Sequence, residues 1–176
     1  MSQIDISNID YQDLIEYIDT NIYDFKNFDL SIYFKSDYSQ SKIIRSLMLY
    51  ILDKNNVTVP WKGRFSLISD ELVNNSIEYW SMPLDKNIFI LSFKTESNTS
   101  NINIEVHDTW KWAYAKKSYE MEEIRNQKEA EGFDWYLGKR WRWLFQLIKN
   151  IVDEIYFKDK EWGGLIVWIN KRLELI

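Results

Sequence analysis

Residues 87–108 read NIFILSFKTESNTSNINIEVHD, and this stretch decides the fold. Phe89, Leu91 and Phe93 alternate with Ile88, Ile90 and Ser92, so 87–94 reads as a strand. Apolar residues at both parities predict that it is buried on both faces. In 101–108 the alternation is cleaner, with Ile102, Ile104 and Val106 set against Asn103, Glu105 and His107. A turn at Asn98–Asn101 joins the two into an antiparallel hairpin. Asp108, counted by twos from Ile102, falls on the apolar side of the second strand. His107 points the other way, towards solvent.

Working outward, Pro60 suits the first turn of a helix whose inner stripe is Phe65, Ile68, Leu72 and Ser76, closed by Met82-Pro83. Before it, Ser39 or Ser41 caps a helix with Ile44, Leu47, Met48 and Ile51 on one face, and Asn55-Asn56 ends it. Leu30, Ile32 and Phe34 alternate with Ser31, Tyr33 and Lys35 as a half-buried strand. Residues 1–29 hold seven acids and one base, Lys26, with Tyr11, Leu14, Ile15 and Ile18 at helical spacing, and read as an acidic helical extension. Beyond the hairpin, 113–137 is charged and helix-prone with a weak apolar stripe: a solvated surface helix, or a mobile lid or partner arm. Leu144, Leu147, Ile148, Ile151 and Val152 mark an amphipathic helix, and strands at Ile155–Lys158 and Leu165–Ile169 flank a Gly163-Gly164 turn. The expected fold is α+β, with helices on one face of a mixed, mostly antiparallel sheet.

Composition limits the function. The 176 residues carry 22 Lys and Arg against 27 Asp and Glu, a net charge of -5, which argues against a nucleic-acid or anionic-membrane surface. With no cysteine, disulfides, thiolate zinc sites and Cys nucleophiles are excluded together. One histidine makes a His-rich metal site or a Ser-His-Asp triad unsupported. The N-terminal MSQIDISNID lacks an apolar core, and no stretch approaches the ~18 apolar residues of a membrane span, so a cytoplasmic location is expected. Glycine appears five times and tryptophan nine, a shortage of material for any glycine-rich phosphate loop.

Glu71 and Asn75 stand four apart, on one face of the Pro60 helix. An Asn amide oxygen can ligate Mg²⁺, and a Glu can polarise a water or hydroxyl near a phosphate. E-x-x-x-N alone is common on helices. Asp108 adds to it, since a carboxylate on the inner side of a strand needs a partner. It is satisfied by backbone amides, or is a cap for the following turn, or accepts a bond from an exocyclic amine such as that of adenine.

The run ISDELVNNSIEYW, then INIEVHDTWKW, then GKRWRWLFQLIKNIVDEIYFKDKEWGGLIVWINKRL resembles the histidine-kinase-like (GHKL) ATPase domain, in the flavour of bacterial anti-sigma-factor serine kinases. The resemblance covers about residues 30–174 and implies a domain over 30–176, a Bergerat-type two-layer α/β sandwich with a lid at 109–140 and Mg-ATP between helices and sheet. It makes Glu71 the catalytic base, Asn75 the Mg²⁺ ligand and Asp108 the adenine reader, with Gly138 and Leu144 also in the nucleotide-binding set. The first glycine-rich turn of the family, however, reads Asp108-Thr109-Trp110-Lys111-Trp112, and the second Trp141-Arg142-Trp143-Leu144. Leu165 stands where the family has the Thr or Ser that steadies the Asp.

Glycine lets a backbone approach phosphate and adopt positive φ, whereas tryptophan buries ~150–250 Å². Trp110, Trp112, Trp141 and Trp143 are therefore expected to fill the pocket, with Trp110 or Trp143 in the adenine slot and its N–H aimed at Asp108; the alternative turns the indoles outward. The resemblance with these departures implies a degenerate ATPase domain serving as a protein-binding regulatory module, with a sigma factor or STAS-type antagonist as partner and ATP binding weak or lost. The alternative is an active Mg-ATP-dependent serine/threonine kinase. A homodimer is a further expectation, since kinases of this family commonly dimerise.

Overall fold

The computed structural model describes residues 1–82, 85–109, 116–131, 145, 149–161 and 163–174. They form an α+β fold with a mixed six-stranded sheet. The elements run β1 (Ser2–Asp5), α1 (Tyr11–Asn21), β2 (Asn27–Lys35), α2 (Tyr38–Lys54), α3 (Val59–Asn75), β3 (Lys86–Glu96), β4 (Thr99–His107), α4 (Ser118–Glu131), β5 (Glu154–Asp159) and β6 (Leu165–Glu174). A π-helical turn, Ser76–Trp80, extends α3. Strand order is β1-β2-β3-β4-β6-β5; β1 pairs parallel to β2 and every other pair is antiparallel. No described helix is long and apolar enough to cross a membrane.

The hairpin forms as the alternation dictates. Glu96 pairs with Thr99 across a two-residue turn at Ser97-Asn98, with Ser97 at φ 54°, tighter than the expected Asn98–Asn101 turn. Phe89, Leu91 and Phe93 lie opposite Val106, Ile104 and Ile102, and all six are buried. Leu30, Ile32 and Phe34 continue that inner face on β2, and Val167 and Ile169 do so on β6. Ile88 and Ile90, expected to be buried as well, are only half-buried on the outer face. Among the described residues, the helices α1, α2 and α3 cover the inner face of the sheet.

α2 and α3 pack together as an antiparallel helical pair, burying Ile44, Leu47, Met48 and Ile51 with Phe65, Ile68 and Leu72 in one core. The α2 cap is Asp37, whose carboxylate accepts the Ser39 N–H at 2.7 Å, rather than either serine. Asn55 ends α2, its Nδ2 bonding the Ile51 carbonyl, and Asn56 reverses the chain at φ 54°. Pro60 occupies the first turn of α3, where a missing N–H costs nothing.

The N-terminal segment shares this core. β1 adds a parallel edge strand that its sequence did not announce, and α1 buries Leu14 and Ile18 beside α2, where the Tyr50 hydroxyl donates to Asp19 at 2.6 Å. Asp10 caps α1 by accepting the Asp13 N–H at 3.0 Å. α4, within the expected lid region, packs beside β5: Met121 is buried, and Arg125 Nη1 donates to the Ile155 carbonyl at 3.1 Å.

Candidate functional site

α3 places Glu71 and Asn75 one turn apart on the helix that also touches β4. Glu71 is half-buried. Asn75 closes the regular part of α3, is 1% exposed, and among the described residues neither of its amide atoms has a hydrogen-bond partner. The helix then widens into the π-helical turn, a distortion that proteins often keep at functional sites.

Asp108 follows β4 on its inner side, as the alternation requires, and is also 1% exposed. Leu165 at the start of β6 holds it on both sides of the chain. The Leu165 N–H donates to Asp108 Oδ1 at 2.8 Å, and the Asp108 N–H donates to the Leu165 carbonyl at 3.1 Å. The seat for the carboxylate is thus a backbone amide, which the Leu165 side chain neither helps nor hinders. Gly164 makes that approach possible. Its φ is +116°, and a Cβ built on it would stand 2.4 Å from the Asp108 carbonyl oxygen. Lys160 Nζ donates to the same carbonyl at 3.0 Å, fixing the end of β4 from the β5–β6 turn.

Beside Asp108 lies a polar knot that the motif reading did not include. The Thr109 hydroxyl donates to Asp85 Oδ2 at 2.6 Å, and the Thr109 N–H reaches Ser81 Oγ at 3.5 Å. The Ser81 hydroxyl donates to Asn87 Oδ1, and Asn87 Nδ2 donates to Ser36 Oγ at 3.0 Å. Asp85 also accepts the Met82 N–H at 3.0 Å. Ser81 and Asn87 are buried, and these bonds join the ends of β2, β3 and β4 to the exit of the π-helical turn. One signal was available: Asn87 shares parity with Phe89, which puts an amide on the inner face. Lys160 offered none.

The structure therefore sets Asp108, Leu165 and Gly164 in direct contact and seats Asn75 in the interior on the helix above β4. Trp110, Trp112, Gly138, Trp141, Trp143 and Leu144 lie outside the described residues. His107 is on the outer face, as expected, with Nε2 2.8 Å from Glu105 Oε2. Among the described residues no three acidic or histidine side chains gather to hold a metal ion. The sequence matches no protein-family model and no curated protein.

Proposed function

We propose that the chain is a degenerate GHKL-type domain of Bergerat architecture that works as a protein-binding regulatory module, with nucleotide binding weak or lost. The observation that carries this reading is the closure of two residues assigned to nucleotide: Asn75 and Asp108 are each 1% exposed. A magnesium ligand needs its oxygen in an open coordination sphere shared with phosphate and water. The sealed Asn75 amide does not fit that role. The four tryptophans at the glycine positions act in the same direction, setting indole bulk where glycine would let backbone amides come close to an anion. What remains is a regulator that holds a sigma factor or STAS-type antagonist without turning over ATP.

One observation favours the active kinase as the second reading. Asp108 keeps a well-formed seat, because Leu165 supplies from its backbone what the family takes from a Thr or Ser side chain. The two readings separate on co-elution of the protein with a STAS-type antagonist, with and without Mg-ATP, for the parent and Glu71→Gln. The regulatory reading expects the same complex in all four samples and no phosphate on the partner. A partner phosphorylated by the parent but not by Glu71→Gln would overturn it.

A further inference from the structure

The outer face of the sheet holds one place where a carboxylate and an aromatic wall meet. Register sets Ile90 on β3, Glu105 on β4 and Trp168 on β6 side by side in one row, and Tyr156 on β5 ends it. The helices α1, α2 and α3 pack on the opposite face. The Tyr156 and Trp168 rings are stacked, with 4.7 Å between centroids and 22° between planes. Neighbouring strands are ~4.8 Å apart, so these rings stand upright, face to face across the gap between β5 and β6. The second face of the indole therefore turns towards β4 and Glu105.

Glu105 does not fill the space beside that ring. Its Oε2 lies 2.8 Å from Nε2 of His107, two residues on, which draws the side chain along β4 rather than across to Trp168. Its other oxygen, Oε1, has no hydrogen-bond or ion-pair partner among the described residues. The result is a slot with Trp168 as one wall, Ile90 as the other and Glu105 at the floor. The walls rise from strands two spacings apart, about 9.6 Å. A planar group resting on the indole at ~3.5–4.0 Å leaves roughly 6 Å to the β3 backbone, the space that the Ile90 side chain takes. Asn170, two positions beyond Trp168 on β6, stands at the end away from His107. Its Nδ2 donates to Asn103 Oδ1 at 2.7 Å, which leaves its own Oδ1 as an acceptor. On β5 the exposed neighbours are Lys158 and Glu154, so with Glu105 the acids exceed the bases by one when His107 is neutral.

We propose that this slot receives a flat cation, the guanidinium of an arginine side chain presented by a partner protein. A guanidinium stacks on an aromatic face by cation–π attraction, strongest on tryptophan, and its edge donates to Glu105 Oε1 and Asn170 Oδ1. A lysine ammonium is a hydrated point charge with no flat face to lay against the ring. A nucleobase has the right shape, but the phosphates that come with it are repelled by a chain of net charge -5. The proposal rests on the protein-binding reading above and deepens it, since it names a side chain that the partner contributes.

Titration of the full chain with the peptide Gly-Arg-Gly-Arg-Gly at low salt tests this, followed by NMR at the indole N–H of Trp168, a signal assigned from its loss in Trp168→Phe. The parent is expected to show a saturable shift at millimolar peptide or below, with Gly-Lys-Gly-Lys-Gly bound at least ~5-fold more weakly. Calorimetry of the same titration reads two variants. Trp168→Ala and Glu105→Gln should each weaken the arginine peptide by ~5-fold or more while circular dichroism stays that of a folded chain. Should Trp168→Ala fail to fold, Glu105→Gln, which removes the charge at nearly constant shape, carries the test. No saturable shift at Trp168, equal affinity for the two peptides, or folded variants that bind as the parent does would each overturn the proposal. Adenosine that saturates the Trp168 signal where the arginine peptide does not would overturn it too. A slot that takes no arginine leaves the regulator free to co-elute through another surface, whereas a regulator that never co-elutes defeats the wider reading even where the peptide binds.

Discussion

Replacing Gly164 by alanine puts a methyl group where the structure has a backbone oxygen. The added Cβ stands 2.4 Å from the Asp108 carbonyl oxygen and 2.9 Å from Lys160 Cδ, at a φ of +116°. Lys160 can swing away; the Asp108 carbonyl cannot, because β4 and β6 are bonded on either side of it. Backbone strain of this kind costs ~1–3 kcal/mol and overpacking a rigid contact a similar amount, so the loss is about 3 kcal/mol. For a chain of this length that is a Tm fall of roughly 6–12 °C. Thermal melts followed by circular dichroism measure the loss. Hydrogen exchange should quicken first at the Leu165 amide, which bonds Asp108 Oδ1. An unchanged Tm with unchanged protection at Leu165 would refute the claim that Gly164 is there to let β6 approach Asp108.

Asn75→Leu should stabilise the protein, because a buried amide with neither atom bonded among the described residues gives way to an apolar group of similar volume. A Tm rise of roughly 2–6 °C in the same melts is expected, and a fall would show that the amide makes bonds the account lacks. Lys86→Met tests the tie between β3 and the edge strand β1. Burial pushes the Asp5 carboxyl up, but hydrogen bonds from Lys86 and Ser7 outweigh it and hold its pKa at about 2 against an ordinary 3.8. The folded form therefore gains stability above pH 3.8 that is lost as the pH falls towards 2. The pair is partly exposed, so the variant should lose less than ~1 kcal/mol at neutral pH by urea unfolding, and the gap to the parent should close at the acid end. A gap independent of pH would place the Lys86 contribution in packing.

Much of this fold is legible in periodicity. Leu91 between Phe89 and Phe93, and Ile104 between Ile102 and Val106, define the hairpin and place Asp108 inside. The α3 stripe of Phe65, Ile68 and Leu72 is read as easily, since a helical face against a core leaves the same spacing wherever it occurs. What the chain did not disclose has physical reasons. β1 is four residues, SQID, with one apolar side chain, too short for alternation to register. Asp37, rather than Ser39 or Ser41, caps α2 because cap choice turns on a local backbone geometry that any of the three could have adopted. The apolar outer positions of β3, Ile88 and Ile90, predicted burial on both faces, whereas the described helices cover the inner one and leave these two half-buried. At the site, the inner position of Asp108 was readable, but its bond to the Leu165 amide was not: a main-chain donor has no signature in the side chain that follows it. The Thr109–Asp85 bond spans 24 residues of sequence and depends on how the β3 and β4 ends meet.

The central claim, that this domain has exchanged nucleotide for protein binding, is met most directly by calorimetric titration of the purified chain with ATP and ADP, each with and without Mg²⁺. The account predicts no saturable heat at millimolar nucleotide, the same for the parent and for Asp108→Asn. Saturable micromolar binding that weakens in Asp108→Asn would contradict it and restore the chain to the kinases.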